Sequence, residues 1–290
     1  MTRPKIERVG IYANLHKTRV FAVAHGLLEI LKDVDVLVEQ KLAREIDASN
    51  GVTLPGLCKA DMVITLGGDG TVLSAAREFS ACGIAILGIN MGRLGFLTEL
   101  LPDELGDALP QIIAGNYTID ERMMIDVTVP GLVEEPLLGF NEATIDKGGS
   151  PRALHMTVSV SNSPVGDISA DGFIVATPTG STAYSMATGG AIVEPHLNAI
   201  LLTALAPYTL AIRPLIVSDK QFIEVKYSGR DNNNMPHLTV DGQVTIELPQ
   251  EGSVVIKRSA HTAKLIKFKK NSFYDILRTK LGWGPPPPAR

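Results

Sequence analysis

Cysteine is almost missing from this sequence. The two present in 290 residues, Cys58 and Cys82, cannot build a disulfide framework of the kind that staples small secreted folds. Both stand in mostly apolar stretches, so they read as small core side chains in a reducing compartment. A basic excess is lacking too: 27 Lys and Arg face 31 Asp and Glu, a formal net charge of −4. That balance argues against general nucleic-acid binding, which needs a cationic surface to displace counterions. No apolar signal core follows the charged start MTRPKIERVG, which makes secretion an unfavoured reading. The longest apolar region, residues 197–217, is interrupted by Asn198, Pro207 and Arg213; it is a poor membrane span and a better set of short buried strands. Internal repeats are absent as well. These absences leave the expectation of a soluble, cytoplasmic protein with neither nucleic-acid nor membrane partners.

What is abundant is apolar side chain, 45% of the residues, enough for two cores. In the first part, residues 9–13, 34–39, 61–68 and 83–90 read as strands. Val20, Val23, Leu27, Ile30 and Leu31 fall at helical spacing within 18–32, and TVLSAAREF is compatible with a second helix. Strand–helix alternation predicts an α/β domain with a parallel sheet, whose ligands sit at the carboxyl ends of the strands. After Tyr117 the texture changes to short β-rich segments separated by turn residues, which predicts a β-rich second domain. Within it, TVDGQVTI reads as a tight hairpin turning at Asp241–Gly242. SFYDILRTKLGW returns to helical character and is expected to pack back on the first domain, and GPPPPAR reads as an unpacked tail. The expected division is 1–118 plus 269–284, 119–268, and a disordered 285–290. Lys264, Lys267, Lys269 and Lys270 are expected to be a solvated strand edge.

The most informative stretch is ITLGGDGTVL. An apolar strand ends in Gly67, Gly68 and Gly70 around Asp69, and Thr71 starts the next helix. Glycine N–H groups leading into a helix N-terminus suit phosphate. A carboxylate beside polyphosphate is repulsive unless a metal intervenes or a proton is taken, which assigns Asp69 a chemical role. Capping alone contributes only about 1 kcal/mol and does not require glycine on both sides. There is no G-x-x-x-x-G-K-[ST], and Leu73 stands where a dinucleotide fingerprint places its third glycine. Farther on, FIVATPTGSTAY crowds Thr177, Thr179, Ser181 and Thr182 around a helix start with Tyr184 beside them. That composition suits a neutral, hydroxyl-rich ligand, with an ST-rich cap as the alternative. Asn141 and Glu142 carry groups able to bind an adenine edge and a ribose diol, or are two exposed loop residues; Asp171 alone could be a turn former.

GGDGT resembles the signature of a kinase superfamily that includes NAD kinases, lipid kinases and 6-phosphofructokinases. With GINMGRLGFLTE, NEATI and DGFIVATPTGSTAYSMATGG in the same order, the sequence resembles the NAD kinase family across nearly its whole length. The resemblance implies phosphorylation of the 2′-hydroxyl of the adenosine ribose of NAD to give NADP, with ATP or polyphosphate as donor. It implies that Asp69 orients and deprotonates that hydroxyl, with Gly67, Gly68, Gly70 and Thr71 near the phosphates. Phe96 is expected near the adenine. Asn141 and Glu142 hold the adenosine part, while Asp171, Thr179, Thr182, Ala183 and Tyr184 line the nicotinamide-riboside side. A divalent cation, Mg²⁺, is expected to neutralise the phosphates in the absence of a P-loop lysine, although no metal ligands are assigned; Arg93 and Arg213 are possible phosphate partners. A site in the cleft between the domains and a homodimer or homotetramer complete the implied picture. Two positions depart from the family pattern: Tyr208 where His is common, and Ser169 where some strictly NAD-using members carry Arg. Donor preference and NAD/NADH discrimination stay open, with a lipid kinase and a non-catalytic dinucleotide sensor as alternatives.

Overall fold

The computed structural model describes residues 4–17, 19–92, 95–229, 234–269 and 271–283. The chain divides into two compact units, Met1–Glu121 with Ala263–Arg290, and Arg122–Thr262. In chain order the first unit carries β1 (Arg8–Ala13), α1 (Arg19–Ile30), β2 (Asp35–Glu39), α2 (Gln40–Glu45), β3 (Gly51–Val52), β4 (Met62–Gly67), α3 (Asp69–Phe79), β5 (Ala85–Asn90) and α4 (Leu105–Ile113). The strand β6 (Thr118–Thr128) leads into the second unit. There follow β7 (Leu137–Gly139), β8 (Glu142–Asp146), β9 (Leu154–Val160), β10 (Ser163–Ala170), β11 (Gly172–Ala176), α5 (Tyr184–Ala187), β12 (Ala199–Leu205), β13 (Leu215–Ser218), β14 (Ile223–Ser228), β15 (His237–Val240) and β16 (Val244–Glu247). The long strand β17 (Glu251–Lys267) returns the chain to the first unit, which α6 (Phe273–Leu281) completes.

In the first unit the strands run in the order β3-β2-β1-β4-β5, all neighbours parallel, with the end of β17 added beside β5 through Lys264↔Ala85 and Leu265↔Ile86. Every residue of β4 and β5 is buried, as expected of central strands covered on both faces. The covering helices follow their apolar spacing: α1 buries Val20, Ala24 and Leu27, and α3 buries Val72, Ala75, Ala76 and Phe79. The chain winds outward from β1 through β2 to β3, then crosses back to place β4 on the other side of β1. That reversal creates a switch point between β1 and β4, where the loops leaving their carboxyl ends part and leave a crevice. Asn14 N–H donates to the Leu66 carbonyl at 3.0 Å there, so the β1–α1 turn and the glycine turn after β4 lie side by side. Helix α6 starts at a reciprocal cap in which Ser272 Oγ accepts from Asp275 N–H and Asp275 Oδ2 accepts from Ser272 N–H, and it stops at Gly282 with φ +68.

The second unit is antiparallel. One sheet runs β13-β12-β11-β8-β15-β16, and β10-β9-β14 continue onto the first half of β17. Their inner faces meet in a core that includes Val158, Phe173, Ile200, Val225, Leu238 and Ile256. The hairpin expected at Asp241–Gly242 is present, with both residues at positive φ and Val240 paired to Val244. Of the apolar region 197–217, only β12 is wholly buried; β13 is largely exposed, with Leu215 and Ile216 in solvent. The proline tail lies outside the described residues.

Two expectations are corrected here. Cys58 and Cys82 are not free core thiols: Cys82 is exposed, Cys58 half-buried, and the two are joined as a disulfide with Cα atoms 5.8 Å apart. Hydropathy misleads here because Cys58 precedes β4 and Cys82 follows α3, so the right-handed strand–helix return brings both to one end of that pair. The lysine cluster is likewise anchored. Lys267 Nζ pairs with buried Glu99 at 3.0 Å, Lys269 Nζ with Glu104 at 2.7 Å, and Lys264 Nζ donates to the Gly83 carbonyl. These bonds fasten the end of β17 to the segments flanking β5. The fourth lysine, Lys270, lies outside the described residues.

The bridge spans 24 residues of sequence, and closing such a loop in the unfolded chain is worth about 3 kcal/mol. Dithiothreitol, or Cys82→Ser, is therefore expected to lower the melting temperature by about 5–10 °C. Identical calorimetric transitions with and without reductant would show that the bridge carries no stability.

Candidate functional site

The candidate side chains form two groups, one in each unit. In the first, β4 delivers the chain to Gly68, whose carbonyl accepts from Thr71 and Val72 N–H at 2.9 and 3.2 Å and so opens α3. Asp69 is the first residue of α3, one position past the cap residue Gly68, and its carboxylate turns outward to the loop after β5. Oδ2 accepts from Phe96 N–H at 2.7 Å; Oδ1 accepts from Leu97 N–H at 3.1 Å, Thr98 N–H at 3.2 Å and the Thr98 hydroxyl at 3.4 Å. A carboxylate has about four acceptor positions, so Oδ2, with one bond among the described residues, retains a lone pair for an incoming hydroxyl. The loop is secured from its other side by Asn90, whose Nδ2 donates to Thr98 Oγ1 and whose Oδ1 accepts from Gly92 N–H. Gly95 is required by close approach, because a Cβ there would stand 1.9 Å from Asp69 Oδ1.

Gly67, Gly68, Asp69, Gly70, Thr71 and the backbone of Phe96 therefore come together in one place. The Phe96 backbone, not its ring, makes the contact with Asp69. A cation that sequence reasoning missed joins them: Lys17, from the β1–α1 turn, extends Nζ to within 3.4 Å of the Gly67 carbonyl. The glycine turn thus has a lysine, although not one inside a phosphate-loop motif. Its signal in the sequence is only a lone Lys after the first strand, and the order of the parallel strands is what brings it here.

In the second unit, Asn141 leads into β8 and Glu142 starts it, opposite the TPTGST turn. Thr177 N–H donates to the Asn141 carbonyl at 2.8 Å and Thr177 Oγ1 to the Phe140 carbonyl at 2.7 Å. Gly180 packs so tightly that a Cβ would meet the Asn141 carbonyl at 2.0 Å. The hydroxyls expected to face a ligand are partly consumed internally: Thr177 and Ser181 are buried, Ser181 Oγ bonds the Val193 carbonyl, and Thr182 Oγ1 bonds the Thr179 carbonyl. Thr179 Oγ1 accepts from buried Arg122 at 3.2 Å, another partner the sequence does not single out. Ala183 is half-buried and Tyr184 exposed.

Glu142 is 5% exposed, and its Oε2 has no hydrogen-bond partner among the described residues. Burial first, and the charge of Asp241 second, push its carboxyl up to about 7, against a hydrogen bond from Tyr184 N–H that favours the ionised form. A buried acceptor without a donor is costly, so Oε2 is a position where a ligand hydroxyl or amine gains most. Asp171 sits between β10 and β11 and pairs with Lys147 Nζ at 2.8 Å. It is accessible, but it already has a protein partner.

The remaining candidates separate. Arg93 lies outside the described residues. Arg213 is exposed, donates to the carbonyls of Leu210 and Ile212, and borders a groove of 380 Å³ with Phe173, Leu202 and Leu215; it is not among the other predicted residues of its unit. Ser169 and Tyr208, the two departures from the family pattern, share one hollow of 480 Å³ with Arg152 and His155, and Ser169 Oγ lies 2.7 Å from His155 Nδ1. Among the described residues, no three His, Cys, Asp or Glu side chains gather to hold a metal ion.

Residues 56–117 match the ATP-NAD kinase N-terminal domain family and residues 140–268 the ATP-NAD kinase C-terminal domain family. The chain is similar to the NAD kinase of Syntrophotalea carbinolica, 38% identical over 287 residues that cover 96% of this chain and 99% of that one. It is also similar to the NAD kinase of Geobacter sulfurreducens, 38% identical over 286 residues with the same coverage. An Archaeoglobus fulgidus NAD kinase solved in complex with ATP superposes with TM-score 0.75 at 26% identity, over 95% of this chain and 98% of that chain. The fold is shared with yeast NADH kinase complexed with NADH, TM-score 0.87 at 23% identity, over 97% of this chain and 89% of that chain.

Because Gly95 leaves no room for a Cβ, Gly95→Ala is expected to push the 95–98 loop off Asp69 and cost about 1–3 kcal/mol of stability in denaturant titration. An unchanged midpoint would count against the loop being held by that carboxylate.

Proposed function

Since the chain belongs to the ATP-NAD kinase family, with phosphorylation of NAD by ATP to give NADP as its activity, we propose that each unit supplies one half of the reaction. The first unit, roughly residues 1–118 with 269–284, handles the phosphoryl donor. The second, roughly 119–268, holds NAD and carries the contacts between subunits. The observation that carries the assignment is the placing of Asp69 and Lys17 together at the β1/β4 switch point, where an α/β sheet receives its ligand.

In this reading the glycine turn and Thr71, at the N-terminus of α3, lie beside the phosphates at the positive end of the helix dipole, and Lys17 neutralises charge beside Gly67. Asp69 accepts the 2′-hydroxyl proton through the free lone pair of Oδ2 and aligns the oxygen for in-line attack. Its bonds to residues 96–98 keep the carboxylate from rotating away. A positioned base contributes about 10²–10⁴-fold, and alignment with charge neutralisation supplies most of the remainder. Glu142 Oε2 accepts a ribose hydroxyl, Asn141 reads the adenine edge, and Asp171, released in part from Lys147, faces the nicotinamide riboside with Thr179, Thr182, Ala183 and Tyr184. A divalent cation, Mg²⁺ by preference, is proposed to arrive on the donor phosphates, since such ions take few protein ligands and the described residues hold no cage for one. When bound, it spreads the charge of the transferred phosphoryl group.

A homodimer or homotetramer is proposed from the exposed apolar edge of β13 and its approach, where Tyr208, Leu210, Leu215 and Ile216 face solvent. A cytoplasmic location accords with family membership, and among the described residues no helix is long and apolar enough to cross a membrane.

The test is NADP formation by purified protein with Mg²⁺ and NAD, with ATP and polyphosphate in parallel. Asp69→Asn is expected to bind NAD and to lose at least about 10²-fold in kcat, whereas a loss within about threefold would remove Asp69 from the chemistry. Lys17→Met is expected to raise KM for ATP by about tenfold with KM for NAD unchanged, because charged hydrogen bonds to phosphate are the strong ones. A KM for ATP equal to the parent's would leave Lys17 without a donor role.

A further inference from the structure

The Asp241–Gly242 pair reads from sequence as nothing more than a hairpin turn, and the structure gives Asp241 a second task. An Asp in a turn ordinarily bonds its own backbone two residues on. Here the carboxylate reaches back about a hundred residues. Oδ1 accepts from Asn141 N–H at 2.7 Å, Phe140 N–H at 3.0 Å and Glu142 N–H at 3.2 Å, and Oδ2 from Phe140 N–H at 3.0 Å. In return, Asp241 N–H donates to the Glu142 carbonyl at 2.9 Å. Asp241 is 5% exposed and held at φ +52. The register of β15 on β8, Val240 against Ala143, sets it beside the dipeptide.

We propose that Asp241 is a positioning residue for NAD recognition: its carboxylate gathers three consecutive N–H groups of residues 140–142 and so fixes where Asn141 and Glu142 meet the acceptor. The inference rests on the reading that these two residues hold NAD. Charge-assisted bonds to backbone N–H are about twice as strong as neutral ones, and three from one buried carboxylate leave the turn little freedom. A second consequence concerns charge. The elements packed against Glu142 bring it Asp241 from the β15–β16 turn, apolar Ala176 opposite on β11, and the Tyr184 N–H from α5. Asp241 is the charged neighbour, and it helps burial to hold the Glu142 carboxyl near neutrality at about 7. Glu142 is a strong acceptor for a ribose hydroxyl only when ionised, so NAD affinity rises as pH increases through that value. Removing the Asp241 charge moves the transition to lower pH.

The experiment is steady-state kinetics of full-length protein over about pH 5.5 to 8.5 for Asp241→Asn, with Glu142→Ala and Gly242→Ala beside it. Asp241→Asn is expected to raise KM for NAD by about tenfold or more, to leave KM for ATP within about twofold, and to shift the KM–pH transition downward. Gly242 lies at φ +63, and a Cβ added there would meet nothing within 4 Å, so Gly242→Ala strains the turn alone and is expected to lower the melting temperature without raising KM for NAD. If Gly242→Ala reproduces the KM effect, or Asp241→Asn lowers kcat and raises both KM values together, Asp241 is a hairpin residue and the proposal fails. An unchanged KM for NAD in Glu142→Ala overturns the underlying reading of the NAD site, and the positioning role with it. A large effect there with a parental Asp241→Asn overturns the positioning role alone. Should Asp241→Asn not fold, Asp241→Glu decides: displacing the charge is expected to raise KM for NAD, and parental kinetics would refute the proposal.

Discussion

Everything proposed for the first unit depends on one carboxylate meeting one stretch of backbone. Asp69 stands at the start of α3, and the N–H groups of Phe96, Leu97 and Thr98 converge on it. That contact ties the glycine turn after β4 to the loop after β5, the two connections that leave neighbouring buried strands at their carboxyl ends. Capping a helix could have been done with either carboxylate oxygen alone. Engaging both oxygens with a second loop fixes the direction of the remaining lone pair, which is what proton acceptance at a defined atom requires.

The second unit repeats the device with different parts. Asp241 gathers Phe140, Asn141 and Glu142 as Asp69 gathers Phe96, Leu97 and Thr98. In both places an anion accepts from three successive N–H groups of a segment that cannot satisfy them within a helix or sheet ladder. The environments differ in one respect that matters for chemistry. Beside Asp241 a second carboxyl, that of Glu142, is buried with one oxygen that has no partner among the described residues, and it is pushed up to about 7. Its raised proton affinity means that folding favours the protonated form. This group therefore contributes stability that is fully present below the unfolded value of 4.5 and is lost as pH rises through about 7. Bonding by a ligand hydroxyl offsets part of that cost.

Much of this is legible in the chain itself. Residues 9–13, 61–68 and 83–90 read as strands because apolar runs bounded by Gly and Asn leave few alternatives, and α1, α3 and α6 show their faces through 3.6-residue spacing. The short α2 and the proline-containing α4 give no such signal: six residues are too few to display a period, and Pro110 inside α4 argues against a helix. Glu142 in isolation is half of a bare dipeptide, and only the register of β8 against β11 and β15 shows it buried beside another carboxyl. The disulfide is hidden for the same kind of reason, since neither cysteine's neighbours reveal that the turn before β4 and the end of α3 meet.

By itself the sequence determined the strand–helix rhythm, the β-rich second half and the glycine-enclosed Asp69. Each of these is written in neighbouring residues: side-chain period, backbone freedom and the change from helix cap to turn are all local. The tertiary structure decided which groups those residues meet. Lys17 reaches Gly67 across 50 residues, Asp69 receives N–H groups from 27 to 29 residues away, and Asp241 closes on residues 99 to 101 positions earlier. Such pairings follow from strand order and register, which are set by how each core buries its apolar faces, and no spacing within a single segment encodes them.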